Sequence, residues 1–140
     1  MRILGLDHIV IRCNDLASMQ RFYCDRLGCR VEKYNEKLGL IHLRAGSALI
    51  DLISVDGELG RVGGAGPGAQ ARNVDHFCLR IESFDEAALH AQFSARGIEL
   101  SRVHDNYGAE GTGPSVYLTD PEGNSIELKG PAHTPANPRA

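Results

Sequence analysis

Four residues of this chain have the types and the spacing of a divalent-metal site. Two are histidines, His8 and His76. A carboxylate follows each of them, Asp51 after 43 residues and Glu127 after 51 residues. Imidazole nitrogens and carboxylate oxygens together bind zinc, nickel, cobalt, manganese or iron, and water or substrate takes the remaining positions. Taken singly, each residue is also typical of the solvated face of an antiparallel sheet.

An internal repeat relates these four residues to one another. Residues 6–12 (LDHIVIR) reappear 68 positions later as residues 74–80 (VDHFCLR), and a helical stretch follows each copy. His8 and His76 therefore hold equivalent positions in two similar modules. If a pseudo-twofold axis relates the modules, both histidines and both carboxylates converge on one point.

Each module is predicted to run strand, helix and then three strands. Asn14 or Asp15 is suited to cap the first helix, and Ser83 with Glu86 has the pattern of a capping box for the second. A glycine suited to the left-handed conformation follows each helix, at positions 28 and 97. The strand-like segments lie at about 29–35, 38–45 and 47–54 in the first module, and at about 98–104, 114–119 and 124–129 in the second.

The segments outside these elements are poor in residues that pack. Residues 56–73 hold six glycines and one proline and are predicted to be a flexible linker or surface loop. Residues 105–113 are polar and glycine-rich, which predicts a loop that could act as a lid. Residues 131–140 hold three prolines and are predicted to be a flexible tail. The chain is thus expected to be one domain over residues 1–130, with module 1 at about 4–55 and module 2 at about 74–130.

Strand parity sorts the side chains of each predicted strand into two faces, because they alternate across a strand. In the first strand, for example, Ile9 and Ile11 oppose His8. The apolar set of each strand is expected to cover the helix of its own module. The opposite face carries the four candidate ligands together with four residues predicted to contact a substrate: Arg12, His42, Arg80 and Tyr117.

Composition argues against several classes of function. The 140 residues include 15 basic and 18 acidic ones. A net charge of −3 does not provide the excess of positive charge that binds nucleic acid or a membrane surface. The apolar runs, such as residues 9–11, do not exceed three residues and are too short to cross a bilayer, and the first residues do not form a secretion signal. The four cysteines form no CxxC pair, which favours a reduced, cytoplasmic protein.

Four segments carry a likeness to a known family: DHIVI at 7–11, RFYCDRLG at 21–28, the second Asp-His at 75–76, and VYLTDPEGNSIEL at 116–128. Together they resemble the vicinal oxygen chelate superfamily. That superfamily includes glyoxalase I, bleomycin- and fosfomycin-resistance proteins, extradiol dioxygenases and methylmalonyl-CoA epimerase. The likeness covers about residues 4–129. It implies an α+β fold of two βαβββ modules in a cupped, mostly antiparallel sheet around a metal site, and a homodimer whose site is in some members shared between chains.

The resemblance also implies a ligand set. His8, His76 and Glu127 fall on metal ligands of the family. Asp51 falls where glyoxalase I has a ligand glutamate; since aspartate is one methylene shorter, it would bind after a small strand shift or through water. The implied cofactor is one divalent ion per site, with zinc or nickel favoured over cobalt, manganese and iron.

A glyoxalase-like lyase or isomerase is the first function that these expectations favour. The metal would bind two vicinal oxygens of a small substrate and stabilise an enediolate, while Glu127 would move the proton as general base. Arg12 and Arg80 would hold an anionic part of the substrate. Arg12 matches an arginine that contacts glutathione in glyoxalase I, but residues 52–56 (LISVD) lack the Thr-x-Asn pattern usual there, so the use of glutathione stays open.

Two other functions stay open as well. An Fe(II) extradiol-type dioxygenase would use His8, His76 and Glu127 as a two-histidine-one-carboxylate triad. His42 or Tyr117 would then supply the acid or base; however, many dioxygenases of the family have four modules, and this chain has two.

The third function is a metal-free protein that binds a small molecule such as a drug. Proteins of that kind tend to lose the histidines, which this chain keeps.

Overall fold

The computed structural model describes residues 1–136 and divides into two compact units. Unit 1 comprises residues 1–73 with the turn at 121–123, and unit 2 comprises residues 74–120 with those from 124 onward. Each unit contains one sheet and one α-helix, which confirms the predicted α+β fold of two βαβββ modules. Within residues 1–136, neither α-helix has the length and apolar character needed to span a membrane.

Unit 1 has a four-stranded sheet with α1 against one face. Its elements are β1 (His8–Cys13), α1 (Leu16–Asp25), β2 (Arg30–Asn35), β3 (Leu40–Ala45) and β4 (Ala48–Ser54). The strand order is β1-β4-β3-β2; β1 is parallel to β4, and the other neighbours are antiparallel. Alternate residues of the strands and one stripe of α1 form the apolar core: Ile11, Met19, Phe22, Tyr23, Ile41, Leu43, Ile50 and Leu52.

Unit 2 repeats this order of elements. They are β5 (His76–Arg80), α2 (Glu86–Ser94), β6 (His104–Gly108), β7 (Gly111–Thr119) and β8 (Ser125–Lys129). The strand order is β5-β8-β7-β6; β5 is parallel to β8, and the other neighbours are antiparallel. The short β9 (Thr134–Pro135) pairs with β7. The buried apolar residues are Phe93, Val116, Leu118, Ile126 and Leu128.

The ends of α1 follow the local chemistry of its sequence. The Asp15 side chain caps the helix by accepting a hydrogen bond from the backbone N–H of Ser18 at 2.9 Å. The glycine after each helix is left-handed, with φ of 76° at Gly28 and 70° at Gly97. A residue with a Cβ would be strained in that conformation, which is why glycine marks both helix ends.

The capping box predicted for α2 is wrong. The helix begins at Glu86, so Asp85 occupies the N-cap position and accepts a hydrogen bond from the backbone N–H of Ala88 at 3.0 Å. Ser83 lies two residues before the N-cap. Since aspartate caps as well as serine does, the position of the first helical turn decided between them.

Residues 105–113 form most of a β-hairpin and not the predicted loop, and the strand expected at 98–104 is found at His104–Gly108. The buried Lys129 side chain supports the hairpin, because its Nζ donates hydrogen bonds to the backbone oxygens of Asn106 at 2.6 Å and Gly113 at 3.0 Å. These contacts and the strand pairing outweigh the low strand propensity of glycine, asparagine and aspartate.

The segments predicted as linker and tail contain ordered structure. Within residues 56–73 there is a short 3-10 helix, Gly60–Gly63, and an isolated bridge between Gly68 and Ala71. In the tail, β9 pairs with the start of β7. The remainder of the predicted tail, residues 137–140, lies outside the described residues.

Glu122, in the turn at 121–123, binds the start of α1. Its Oε2 accepts hydrogen bonds from the backbone N of Asn14 at 2.8 Å and from that residue's Nδ2 at 2.9 Å. Its Oε1 accepts one from the backbone N of Asp15 at 2.6 Å. A carboxylate at this place also interacts favourably with the positive end of the helix dipole.

Replacing Glu122 with alanine should lower the free energy of unfolding by about 1–2 kcal/mol, because three charge-assisted hydrogen bonds are exchanged for water. Urea denaturation measures the change. Glu122→Gln keeps one acceptor oxygen and should lose less. Glu99→Ala removes an exposed glutamate and should stay within about 0.5 kcal/mol of wild type. Wild-type stability in Glu122→Ala would contradict the capping role.

Candidate metal centre

Each candidate histidine is held by the aspartate that precedes it. Asp7 Oδ1 lies 2.7 Å from His8 Nδ1. Asp75 Oδ2 lies 2.6 Å from His76 Nδ1. Since a carboxylate accepts, Nδ1 carries the hydrogen and Nε2 presents its lone pair, which is how carboxylates orient metal-binding histidines. No role was predicted for the two aspartates, although the repeat places one directly before each histidine.

Asp51 lies on the same face of the unit 1 sheet as His8. Val10 of β1 is opposite Asp51 in the parallel pair, and His8 comes two residues before Val10, so the side chains share a face. Asp51 is 5% exposed, and His42 Nδ1 lies 2.8 Å from its Oδ1. The pKa of His8 is raised mainly by its hydrogen bond to Asp7; burial opposes this effect and the charge of Asp51 adds to it.

Glu127 and His76 form the corresponding pair in unit 2. Glu127 lies on β8 between Cys78 of β5 and Tyr117 of β7, and it is 6% exposed. Its Oε2 is 3.5 Å from His76 Nε2. The nitrogen that Asp75 leaves available therefore faces the carboxylate.

Hydrogen bonds keep Glu127 in its charged form. Burial by itself raises the pKa of this group, but hydrogen bonds from Asn106, Ser115 and Tyr117, together with the nearby His76, lower it below the ordinary value of a glutamate. The anion is the form in which a carboxylate binds a metal.

Two of these donors were absent from the predicted site. Asn106 falls in the segment predicted as a loop, where strand parity was not applied. Ser115 is fully buried and lies two residues before Tyr117 on β7, so parity within that strand was the signal that could have found it.

Arg12, predicted to contact substrate, is bound by backbone carbonyl groups of unit 1. Its guanidinium donates to the oxygens of Gly63 at 3.1 Å, Gly64 at 2.6 Å and Ala65 at 3.1 Å. Asn73 also holds the Arg12 backbone, donating from Nδ2 to its oxygen at 2.9 Å. The glycine-rich segment after β4 is therefore tied to the strand that carries His8.

The other predicted substrate contacts also have protein partners. Arg80 forms an ion pair with Glu110. The Tyr117 ring makes T-shaped contacts with the rings of His76 and His104, each with a centroid 5.6 Å away. These contacts place Tyr117 beside the histidine of unit 2, while its role toward a substrate stays a prediction.

The donor set fits a divalent cation, although the described residues show no complete cluster. Among residues 1–136, no three His, Cys, Asp or Glu side chains form a group that could hold a metal ion. Each unit instead presents one histidine with an available Nε2 and one buried carboxylate on the same face of its sheet. The two imidazole nitrogens and two carboxylates of these pairs are ligand types that bind zinc, nickel and iron. The four-residue site stays a prediction.

A cavity elsewhere in unit 1 does not involve the candidate residues. It is open and has a volume of about 810 Å³. Asn14, Tyr34, Ser54 and Arg61 are among the residues that line it, and none of the predicted site residues does. It therefore gives no support to the predicted substrate contacts.

Gly63→Ala should lower the free energy of unfolding by about 1–2 kcal/mol, because a Cβ at this position would lie 2.5 Å from Cζ of Arg12 and displace its guanidinium. Thermal denaturation measures the change. Gly68→Ala is the matched control, since a Cβ there meets nothing within 4 Å, and it should leave stability within about 0.5 kcal/mol of wild type. Equal stability of the two variants would contradict the close packing of Arg12 on Gly63.

Solved structures of similar fold cover nearly the whole chain. An integron cassette protein of V. cholerae is 26% identical, with 93% of this chain and 97% of that chain covered and a TM-score of 0.71. Virulence protein STM3117 of Salmonella typhimurium is 25% identical, with 94% and 100% covered and a TM-score of 0.75. Lactoylglutathione lyase of Agrobacterium tumefaciens is 22% identical, with 93% and 96% covered and a TM-score of 0.68, and shows likeness of fold alone.

Sequence comparison extends this likeness from the fold to the family. No curated protein matches the chain. The family model described as Glyoxalase/Bleomycin resistance protein/Dioxygenase superfamily matches residues 5–128, which include both modules and all four candidate ligands. The chain therefore belongs to the Glyoxalase/Bleomycin resistance protein/Dioxygenase superfamily.

Proposed function

We propose that this protein is a metal-dependent lyase or isomerase of glyoxalase type that acts on a small substrate with vicinal oxygens. The observation that carries the proposal is the pair of aspartate-held histidines, His8 and His76, each with a buried carboxylate on the same face of its sheet. The similarity in fold to a lactoylglutathione lyase agrees with it.

The assigned ligands are His8, Asp51, His76 and Glu127. When bound, the metal supplies a Lewis acid for the two substrate oxygens. Asp7 and Asp75 keep the imidazole rings in the tautomer that leaves Nε2 available. A hydrogen bond from Nδ1 to a carboxylate reduces the conformational freedom that each ring would lose on binding an ion.

Glu127 is the residue assigned to move the proton. The reaction class transfers a proton between adjacent substrate carbons through an enediolate, which needs a group able to accept it and return it. The hydrogen bonds that lower the pKa of Glu127 keep it deprotonated. It would accept the proton on the oxygen that it releases from the metal. Arg12 and Arg80 are assigned to bind an anionic part of the substrate. To do so, Arg12 would release a backbone carbonyl oxygen and Arg80 would release Glu110.

The proposal extends to assembly and location. Members of the superfamily bind small molecules and often form dimers. We propose that this chain acts as a homodimer in the cytoplasm, with the metal bound by ligands of one chain or shared between two chains.

A second function is favoured by the contact between His42 and Asp51. Because Asp51 Oδ1 already lies 2.8 Å from His42 Nδ1, Asp51 has a role that does not require a metal. Two histidines and Glu127 would then remain, which is the ligand set of an Fe(II) dioxygenase acting on a catechol.

His8→Ala or His76→Ala should reduce the metal content from about one ion per chain to less than about a tenth, because each variant removes a ligand. Elemental analysis of protein purified without an affinity-tag metal, before and after reconstitution, measures the content. His90→Ala, in α2, is the control and should keep the ion. A full equivalent of metal in either ligand variant would contradict the site.

Asp51→Ala separates the two candidate functions. Loss of nickel or zinc supports the four-ligand lyase, whereas retained tight binding of iron supports the dioxygenase. If the wild-type protein binds no metal after reconstitution with each ion, both functions are wrong and a metal-free binding protein replaces them.

Asp75→Ala should weaken zinc binding by about 10–100-fold without removing a ligand, because the His76 ring loses the group that orients it. Competition with a chromophoric chelator measures the affinity. Asp75→Asn keeps an acceptor oxygen for Nδ1 and should lose less, and Asp56→Ala, at an exposed aspartate of unit 1, should bind as wild type does. Equal affinities in all three variants would contradict the orienting role of Asp75.

A further inference from the structure

The two carboxylate oxygens of Glu127 have different surroundings. Asn106 Nδ2 lies 3.0 Å from Oε1. The other oxygen, Oε2, faces His76 Nε2 at 3.5 Å. One oxygen is thus held by an amide of β6, and the other is directed toward the histidine that the family resemblance assigns to the metal.

The Asn106 side chain is fixed by more than this contact. Its Nδ2 also lies 2.9 Å from Ser115 Oγ and 2.9 Å from Tyr117 Oη. Both hydroxyl groups also hydrogen-bond to Glu127. Because an anionic carboxylate only accepts hydrogen bonds, the nitrogen of the amide must face Glu127, and the amide cannot flip without losing that bond.

The backbone of Asn106 is held as firmly as its side chain. Lys129, which is 4% exposed, donates from Nζ to the Asn106 oxygen at 2.6 Å and to the Gly113 oxygen across the hairpin at 3.0 Å. Asn106 and Gly113 are opposite each other in the β6–β7 register. The amide therefore projects from a strand position that a buried cation stabilises.

We infer that Asn106 is a positioning residue for Glu127: it holds Oε1 and leaves Oε2 as the oxygen that binds the metal. The inference rests on the proposed function, since it assigns an atom to the metal proposed there. Asn106 does not itself contact metal or substrate in this assignment. It acts by restricting the rotation of the Glu127 carboxylate.

Asn106→Leu removes the donor at similar size, and Asn106→Ala removes the side chain. Zn²⁺ affinity, measured on the full chain by chelator competition, should fall by about 10–100-fold in both variants, and the visible spectrum of bound Co²⁺ should change. Tyr107→Phe, the adjacent and exposed position of the same hairpin, should keep both properties of wild type.

A double-mutant cycle separates positioning from a general structural effect. In a Glu127→Ala background, Asn106→Leu should cause no further loss of Zn²⁺ affinity, because its effect passes through Glu127. An equal loss in both backgrounds would overturn the inference. So would wild-type affinity and an unchanged Co²⁺ spectrum in Asn106→Leu, or loss of the folded state in both Asn106 variants. If wild type binds neither ion, the proposed function fails and the inference fails with it; if wild type binds and the variants bind equally well, the inference alone fails.

Discussion

The parallel pairing of the first and last strands of each module is the constraint on which the candidate site depends. β1 lies beside β4, and β5 lies beside β8. Paired residues of neighbouring strands share a face, so this pairing puts a histidine and a carboxylate on the polar side while their neighbours enter the core. A slip of one residue between β5 and β8 would turn Glu127 into the core and Ile126 out of it. Burial of the apolar side chains therefore fixes the strand register, which keeps the histidine and the carboxylate on the polar face.

The buried carboxylates of the two modules, Asp51 and Glu127, have different hydrogen-bonding partners. A carboxylate in the middle of a sheet loses hydration, and that loss must be offset by hydrogen bonds or charge. In unit 1, the buried Asp51 has the His42 ring beside it. In unit 2, neutral donors that include Asn106, Ser115 and Tyr117 hydrogen-bond to Glu127, and its pKa is lowered despite burial. The repeat thus preserves the position of the carboxylate but not its surroundings.

Long cationic side chains lie against glycine in both units. Arg12 packs on Gly63 and binds three carbonyl oxygens, and Cε of Lys129 lies 2.8 Å from where a Cβ of Gly108 would be. Glycine permits this approach because it has no side chain, and nearby backbone carbonyl groups supply the acceptors. Glycine-rich segments that resemble free loops in the sequence are in these two places the partners of a cation.

Local sequence signals specified most of the elements and the faces of their strands. The alternation of Ile9, Ile11 and His8, a cap at residue 14 or 15 and the glycine after each helix are local signals. Each depends on a few neighbouring residues. The partners that the polar side chains take depend on the folded chain. Arg12 with carbonyl groups some fifty residues away, Asn106 with Glu127, and the hairpin at residues 105–113 depend on contacts between distant parts of the chain. Periodicity shows which face a side chain occupies, but the atom it meets there depends on how the strands pair and on what packs beside them.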